Sequence, residues 1–319
     1  MGLSVLGLMA LSAIPARAVI VYGDPGRLTT MPVLSGGVKP GWQFIGTYGE
    51  FTGIPIGPRA WVSAAHVSGG TGTLVYNNAG TSSSANYLST RVATSGDLAV
   101  FELNADQPSF TEWAPVWDDT ASLSSRILAG TLDVYMYGRG TDRGAAILND
   151  SLETVGWDWV SRTNNEPLSY GTGNVFTIVN DSGNAYLFMP FYADSAESGI
   201  FSEGDSGGAV FAFDDVQGRW ELVGINYAVQ LVANAPNMPL REAAFFDARG
   251  RYYPDGNPPT WYEITGDEPV TLSSYSTSLP QKYSVLSPYI PVPEPSTMIL
   301  ATISAAGLIV AARRKSARG

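Results

Sequence analysis

Three residues far apart in the chain are of the types that together make a serine nucleophilic: His66 in "WVSAAHV", Asp97 in "TSGDLAVFEL" and Ser206 in "FSEGDSGGAV". Such chemistry needs a base to take the hydroxyl proton, an acid to orient the base, and N–H donors for the oxyanion that forms on attack. His66 is the only histidine of the chain and stands where a β-rich apolar run meets small residues. Asp97 immediately precedes an apolar strand pattern, a place where an aspartate also serves simply to start a strand. Ser206 lies among Gly204, Gly207 and Gly208, which permit backbone angles and close approaches that side chains forbid. That freedom lets the amides of Gly204 and Ser206 point at one spot. Ser, Asp and Gly also dominate ordinary turns, so each stretch alone is ambiguous. The ordered set of three carries the weight.

The chain that must position these residues has 319 of them, 45% hydrophobic, with 35 glycines and 21 prolines. This is enough for a sizeable core in one large domain or two small ones. There is no cysteine, which removes disulfides, thiolate zinc sites and thiol catalysis. A single histidine removes any multi-histidine metal centre. Charged residues make up 15% and the net charge is −11. With no basic cluster in the interior, nucleic acid is excluded as a partner.

Both ends read as addresses. "MGLSVLGLMALSAIPARA" is apolar and closes on Ala16-Arg17-Ala18, the pattern of a signal peptide over 1–18, although it lacks an early Lys or Arg. At the other end, Met298 to Ala312 form an apolar run followed at once by Arg313, Arg314 and Lys315. The run is short for a membrane span of about 20 residues. Together with the preceding Pro293-Glu294-Pro295 it resembles the PEP-CTERM sorting signal of Gram-negative bacteria, here 291–319. The resemblance implies transient inner-membrane anchoring by the tail, removal by an exosortase, and delivery to the cell surface or extracellular matrix. A plain C-terminal anchor is the alternative. Trimming both ends removes five basic residues and no acidic one, leaving 13 against 29 and a net charge of −16.

Between the ends, short runs rich in aromatic and β-branched residues alternate with Gly, Asn, Asp and Ser clusters. One group falls at 42–49, 59–67, 72–78, 86–94 and 97–103, a second at 132–140, 174–180, 185–191, 208–213 and 220–229. No long run has helical periodicity, so the pattern predicts an all-β chain of sandwich or barrel type. The stretch 105–125, rich in Pro, Asp and Ser, suits a linker between two β units. Residues 248–269 read as a surface excursion, and 279–291 as a short terminal helix.

"SAAHV", "GDLAVFEL" and "GDSGGAV", in that order on a β-rich chain, resemble the trypsin/chymotrypsin family of serine endopeptidases. The resemblance implies two packed antiparallel six-stranded β-barrels with the site in the cleft between them. The domain would span 19–290, with the first barrel at about 19–105, a linker at 106–125 and the second barrel at about 126–290. His66 and Asp97 would come from the first barrel and Ser206 from the second. The implied activity is that of an exported serine endopeptidase working through an acyl-enzyme on polypeptide substrates. The alternative is a catalytically silent trypsin-like binding or matrix-associated structural protein. Signal peptidase and exosortase would be the processing partners, and association with extracellular polysaccharide stays open.

The resemblance also implies that a freshly exposed N-terminus, here Val19, inserts beside the acid before the nucleophile, here Asp205. Val21 and Tyr22 stand where the family usually has glycines, a departure from that pattern. The base of the substrate pocket would fall at Ile200 and its wall at Tyr227, Ala228 and Val229, where the family usually has Ser, an aromatic and Gly. This implies a narrow pocket for a small apolar group. No cofactor or metal is expected as essential. Asp118-Asp119 and Asp214-Asp215 are open as calcium ligands or as solvated turn residues.

Overall fold

The computed structural model describes residues 19–23, 27–77, 84–161 and 166–291; the expected leader at 1–18 and the tail from 292 onward lie outside them. After β1 (Ile20–Val21) come β2 (Gly46–Tyr48), β3 (Phe51–Pro55), β4 (Ala60–Ala64), β5 (Thr71–Tyr76), β6 (Ala85–Ser95) and β7 (Leu98–Leu103). Strands β2 to β7 form a closed barrel in the order β2-β3-β4-β7-β6-β5, every pair antiparallel. Its interior is aromatic: Trp61 is fully buried, stacks on Phe101 at 4.1 Å, and donates its indole N–H to Ser89 Oγ at 3.0 Å.

The rest of the chain begins with a helix, α1 (Thr120–Leu128), started by Asp119, whose carboxylate accepts from the amides of Ala121 and Ser122. Strands β8 (Asp133–Gly138), β9 (Arg143–Leu148), β10 (Thr154–Trp159), β11 (Ser169–Asn174), β12 (Thr177–Asp181) and β13 (Asn184–Pro190) follow. Then come β14 (Gly199–Ile200), β15 (Ala209–Asp214), β16 (Arg219–Val229), β17 (Ala243–Phe245), β18 (Tyr252–Asp255), β19 (Thr260–Glu263) and β20 (Ser273–Ser278). A short α2 (Tyr283–Leu286), followed by a 3-10 turn over Ser287–Tyr289, lies near the end of the described chain, within the segment expected to be helical.

These strands do not close. They form a seven-stranded sheet, β11-β8-β15-β16-β20-β13-β12, a three-stranded sheet, β17-β10-β9, and the pairs β18-β19 and β1-β14. The expectation of two six-stranded barrels is therefore corrected to one closed barrel packed on open sheets. The reason lies at the edges. Strand β12 pairs with β13 alone and is half to fully exposed, and β11 is a Gly-containing edge paired with β8. Neither edge reaches the other. The segment read as a linker is also partly built in: Phe110, Ala114 and Trp117 are buried, the Ala114 amide donates to Pro55 O at 2.8 Å, and α1 starts at Thr120.

One cluster of buried side chains crosses from barrel to sheet. Ile54, Val62, Leu98 and Val100 on the barrel side meet Tyr137, Phe211, Leu222 and Ile225 on the sheet side. Each such side chain, fully buried, contributes roughly 1.5–3 kcal/mol. Asp118 and Asp119 fall at the start of α1; Asp214 accepts from the amides of Val216 and Gln217, and Asp215 pairs with Arg126 at 3.3 Å. Among the described residues no cluster of three or more His, Cys, Asp or Glu is arranged to hold a metal ion.

The barrel's dependence on its aromatic stack is measurable. Trp61→Ala leaves a large void and should cost about 3–5 kcal/mol of unfolding free energy. Ser89→Ala removes one hydrogen-bond partner and should cost about 1–3 kcal/mol. Denaturant titrations of the two variants check the order; a Ser89→Ala loss equal to that of Trp61→Ala would refute the packing account.

Candidate functional site

Strands β4 and β7 run antiparallel with Ala64 opposite Leu98, so the residues just beyond that end, His66 and Asp97, come together by register. The Ala65 amide donates to Asp97 O at 2.7 Å, and the His66 amide to Asp97 Oδ1 at 2.9 Å. The imidazole Nδ1 lies 2.9 Å from both carboxylate oxygens. An ionised carboxylate only accepts, so Nδ1 carries the proton and leaves Nε2 as an acceptor. Ser206 Oγ sits 2.8 Å from Nε2. Asp97 is buried while the His66 side chain is 41% exposed, so the acid is sealed and the base faces the cleft.

Ser206 is delivered by the turn between β14 and β15. Gly204 has φ 93° and Gly207 φ 75°, the left-handed region that favours glycine. At Gly207 a Cβ would also lie 2.3 Å from Ser63 Oγ, so the turn docks against the barrel. The neighbouring amides are engaged: Asp205 donates to Ser202 O, Gly207 to Asn226 O and Gly208 to Asp205 O. Those of Gly204 and Ser206 meet no acceptor among the described residues. Two free N–H groups beside a hydroxyl form the arrangement an oxyanion requires.

Asp205 points the other way. It is buried, and burial pushes its carboxyl up to about 6 despite hydrogen bonds from the Ser202 and Gly140 amides, the Ser202 hydroxyl and the Val19 amide. Val19 is itself fully buried. The structure thus brings the Val19 amide to Asp205.

A cavity of about 320 Å³ opens beside Ser206. Tyr227, Ala228 and Val229 line it, as do Trp159, Glu203 and Glu242. Ile200 does not: it is fully buried in β14, paired with Ile20. Tyr227 lies edge-on to His66, ring centroids 6.1 Å apart, and stacks on Tyr186 at 4.6 Å. The Tyr186 phenol, hydrogen-bonded to Tyr227, is pushed up to about 12, chiefly by burial. Sequence reasoning missed Trp159 and Glu242, which line the cavity, and Tyr186, which stacks on Tyr227; all three stand far from the motifs and are placed by the fold. Glu203 adjoins the Ser206 motif and was legible as a neighbour.

Residues 291–315 match the family model of the PEP-CTERM protein-sorting motif, which places the chain among proteins exported and sorted to the cell surface. No curated protein matches. Among solved structures, the passenger domain of plasmid encoded toxin, an autotransporter enterotoxin from enteroaggregative Escherichia coli, matches at 14% identity and a TM-score of 0.43. That match covers 78% of this chain and 23% of the other, and at that score it carries no argument about function in either direction. Among the described residues no helix is long and apolar enough to cross a membrane. The trypsin/chymotrypsin resemblance is corrected accordingly. The matching family lies in the tail, and the second closed barrel is replaced by open sheets. Membership in that family, serine endopeptidase activity and polypeptide substrates are not carried forward for residues 19–290. What stands is a sorted, exported chain in which His66, Asp97 and Ser206 meet at hydrogen-bond distance.

Proposed function

We propose that Ser206 is an activated nucleophile for acyl transfer, with His66 as its base, Asp97 as the orienting acid, and the Gly204 and Ser206 amides as oxyanion donors. The observation that supports this most is the pair of contacts on one imidazole, Asp97 at 2.9 Å and Ser206 at 2.8 Å. In the proposed step Ser206 Oγ bonds to a carbonyl carbon as its proton passes to His66 Nε2, and Asp97 stabilises the imidazolium. The proton then goes to the leaving group, and water releases the acyl group by the reverse path. The tail would anchor the chain transiently at the inner membrane before an exosortase releases it.

A second reading, a silent cleft kept for binding or matrix association, is favoured by Tyr227, whose ring leans on His66 and narrows the approach. A fluorophosphonate probe separates the two. The chain should label on Ser206, Ser206→Ala should not label, and Asp97→Asn should label about 10³–10⁴-fold more slowly. Absence of labelling in the unmodified chain, or labelling retained in Ser206→Ala, overturns the nucleophile and favours the silent cleft.

We further propose that cleavage before Val19 replaces its amide by an ammonium that pairs with Asp205. In a chain extended beyond Val19 the carboxyl is raised to about 6, above its unfolded value. The folded state then binds more protons than the unfolded one, and stability is lost as pH rises through about 4 to 6. A chain beginning at Val19 keeps Asp205 ionised and should lack that loss. Melting temperatures of both forms at pH 4.5 and 7 provide the measurement; parallel pH profiles would rule the pairing out.

A further inference from the structure

The turn that carries Asp97 is braced from outside the barrel by side chains to which the acyl-transfer step gives no part. Lys282, in the 3-10 turn Pro280–Lys282, is only 9% exposed. Yet no carboxylate lies within ion-pair distance of it among the described residues. A buried ammonium without a counter-charge is costly unless its hydrogens are bonded. Its partner is neutral: Nζ donates to Asn184 Oδ1 at 2.9 Å. An ammonium has donors and no acceptor, so it turns the carboxamide oxygen toward itself and sets which way the amide lies. The lysine is itself held in its turn. Its backbone amide donates to Leu279 O at 2.8 Å, and Leu279 is fully buried.

Asn184 opens β13, opposite Asp181 of β12, and its carboxamide lies against Gly96, the residue before Asp97. A Cβ added at Gly96 would collide with Asn184 Oδ1, and the nearest atoms there all belong to that carboxamide. The other grips on Asp97 come from the barrel. The Ala65 amide donates to its carbonyl, and the His66 amide to one of its carboxylate oxygens. Both donors belong to the base or its neighbour, so they move with the group that the acid must orient. Asn184 grips the turn independently, from the sheet that also carries Ser206. We propose that Asn184, fixed by Lys282, is a positioning residue that holds the Gly96-Asp97 turn and so keeps the carboxylate on His66 Nδ1. This rests on the nucleophile reading of Ser206 and gives the buried lysine a part in the same site.

The test pairs the rate of fluorophosphonate labelling with a signal from the imidazole itself. In labelling, Ser206 Oγ bonds to phosphorus, fluoride leaves, and the hydroxyl proton passes through His66 to solvent. His66 is the only histidine, so isotope-labelled histidine gives a single Nδ1–H resonance, moved downfield by its bond to Asp97. A misplacement of about 1 Å can cost ~10²-fold in rate. Releasing the turn in Asn184→Ala should therefore slow labelling roughly tenfold at full final stoichiometry, while the resonance moves upfield and exchanges faster with solvent. Lys282→Met leaves the asparagine in place and should do the same to a lesser degree; Lys282→Arg, which keeps donors, should recover part of the rate. Should Asn184→Ala fail to fold, Lys282→Met carries the same two readouts. Because the lysine acts through the asparagine, Lys282→Met with Asn184→Ala should be no slower than Asn184→Ala alone. A fall in stoichiometry at an unchanged rate constant, or losses that add in the double variant, marks a purely structural role and overturns the proposal. An unchanged rate and resonance in Asn184→Ala also overturn it and leave the nucleophile standing. No labelling of the unmodified chain overturns the nucleophile, and the resonance alone then judges the brace: its retention in Asn184→Ala overturns the positioning role, and its loss supports it.

Discussion

Everything at the site depends on the apolar seam between the closed barrel and the seven-stranded sheet. His66 and Asp97 belong to one side of it and Ser206 to the other, and the 2.8 Å contact between His66 Nε2 and Ser206 Oγ exists only while the two sides stay in register. Ile54, Val62 and Leu98 supply one face of the seam, Phe211, Leu222 and Ile225 the other. Interiors packed to this degree transmit small shifts instead of absorbing them. A polar pin runs beside the seam: Tyr137 of β8 donates its hydroxyl to Pro40 O at 2.7 Å, and Trp42 packs edge-on against Tyr137 at 5.9 Å. The segment before the barrel is thereby fastened to the sheet, and relative sliding must break both packing and a buried hydrogen bond.

Much of the barrel was legible because its strands alternate or run apolar. "AWVSA" and "LAVFEL" are strands β4 and β7, almost wholly buried, and their antiparallel register places His66 beside Asp97. The open sheet was harder to read. Strand β20 is "SSYSTS", without an aliphatic residue, yet it runs between β16 and β13 with most of its residues buried. Its hydroxyls explain the burial: Ser274 Oγ accepts from the Phe201 amide at 3.0 Å, and Ser276 Oγ donates to Asn226 Oδ1 at 3.4 Å. A buried strand built from hydroxyl-bearing residues carries no hydrophobic signal, so periodicity passes over it. Strands β9 and β17 were missed for another reason: each is short and rich in alanine, which has low strand preference.

The second barrel was the expectation most at risk, because it came from motifs that occupy a few residues near the nucleophile. Local motifs constrain the turn that carries Ser206 and the ends of β4 and β7, but they leave the edges of a sheet undetermined. Whether a sheet closes depends on whether its outer strands can pair. Strand β12 is half-buried and becomes exposed at its end, Asn180 and Asp181, and β11 interrupts its pattern with two glycines. Site geometry and sheet closure are therefore separable, and in this chain the first is present without the second.

The absence of cysteine is answered by arginine. Arg143 donates to the carbonyls of Tyr22 and Gly23 at 2.8 and 3.0 Å and lies over Trp157 at 4.5 Å, tying the β1 segment to the three-stranded sheet. Arg59 donates to the carbonyls of Leu103, Asn104 and Gln107, and Arg126 to those of Phe213 and Thr131. A guanidinium has five donors in a planar fork and stays charged, so one side chain can hold several turns without redox chemistry. The consequence reaches the cleft. With few basic residues in the chain and several of them committed to backbone carbonyls, the carboxylates of Glu203 and Glu242 are left uncompensated.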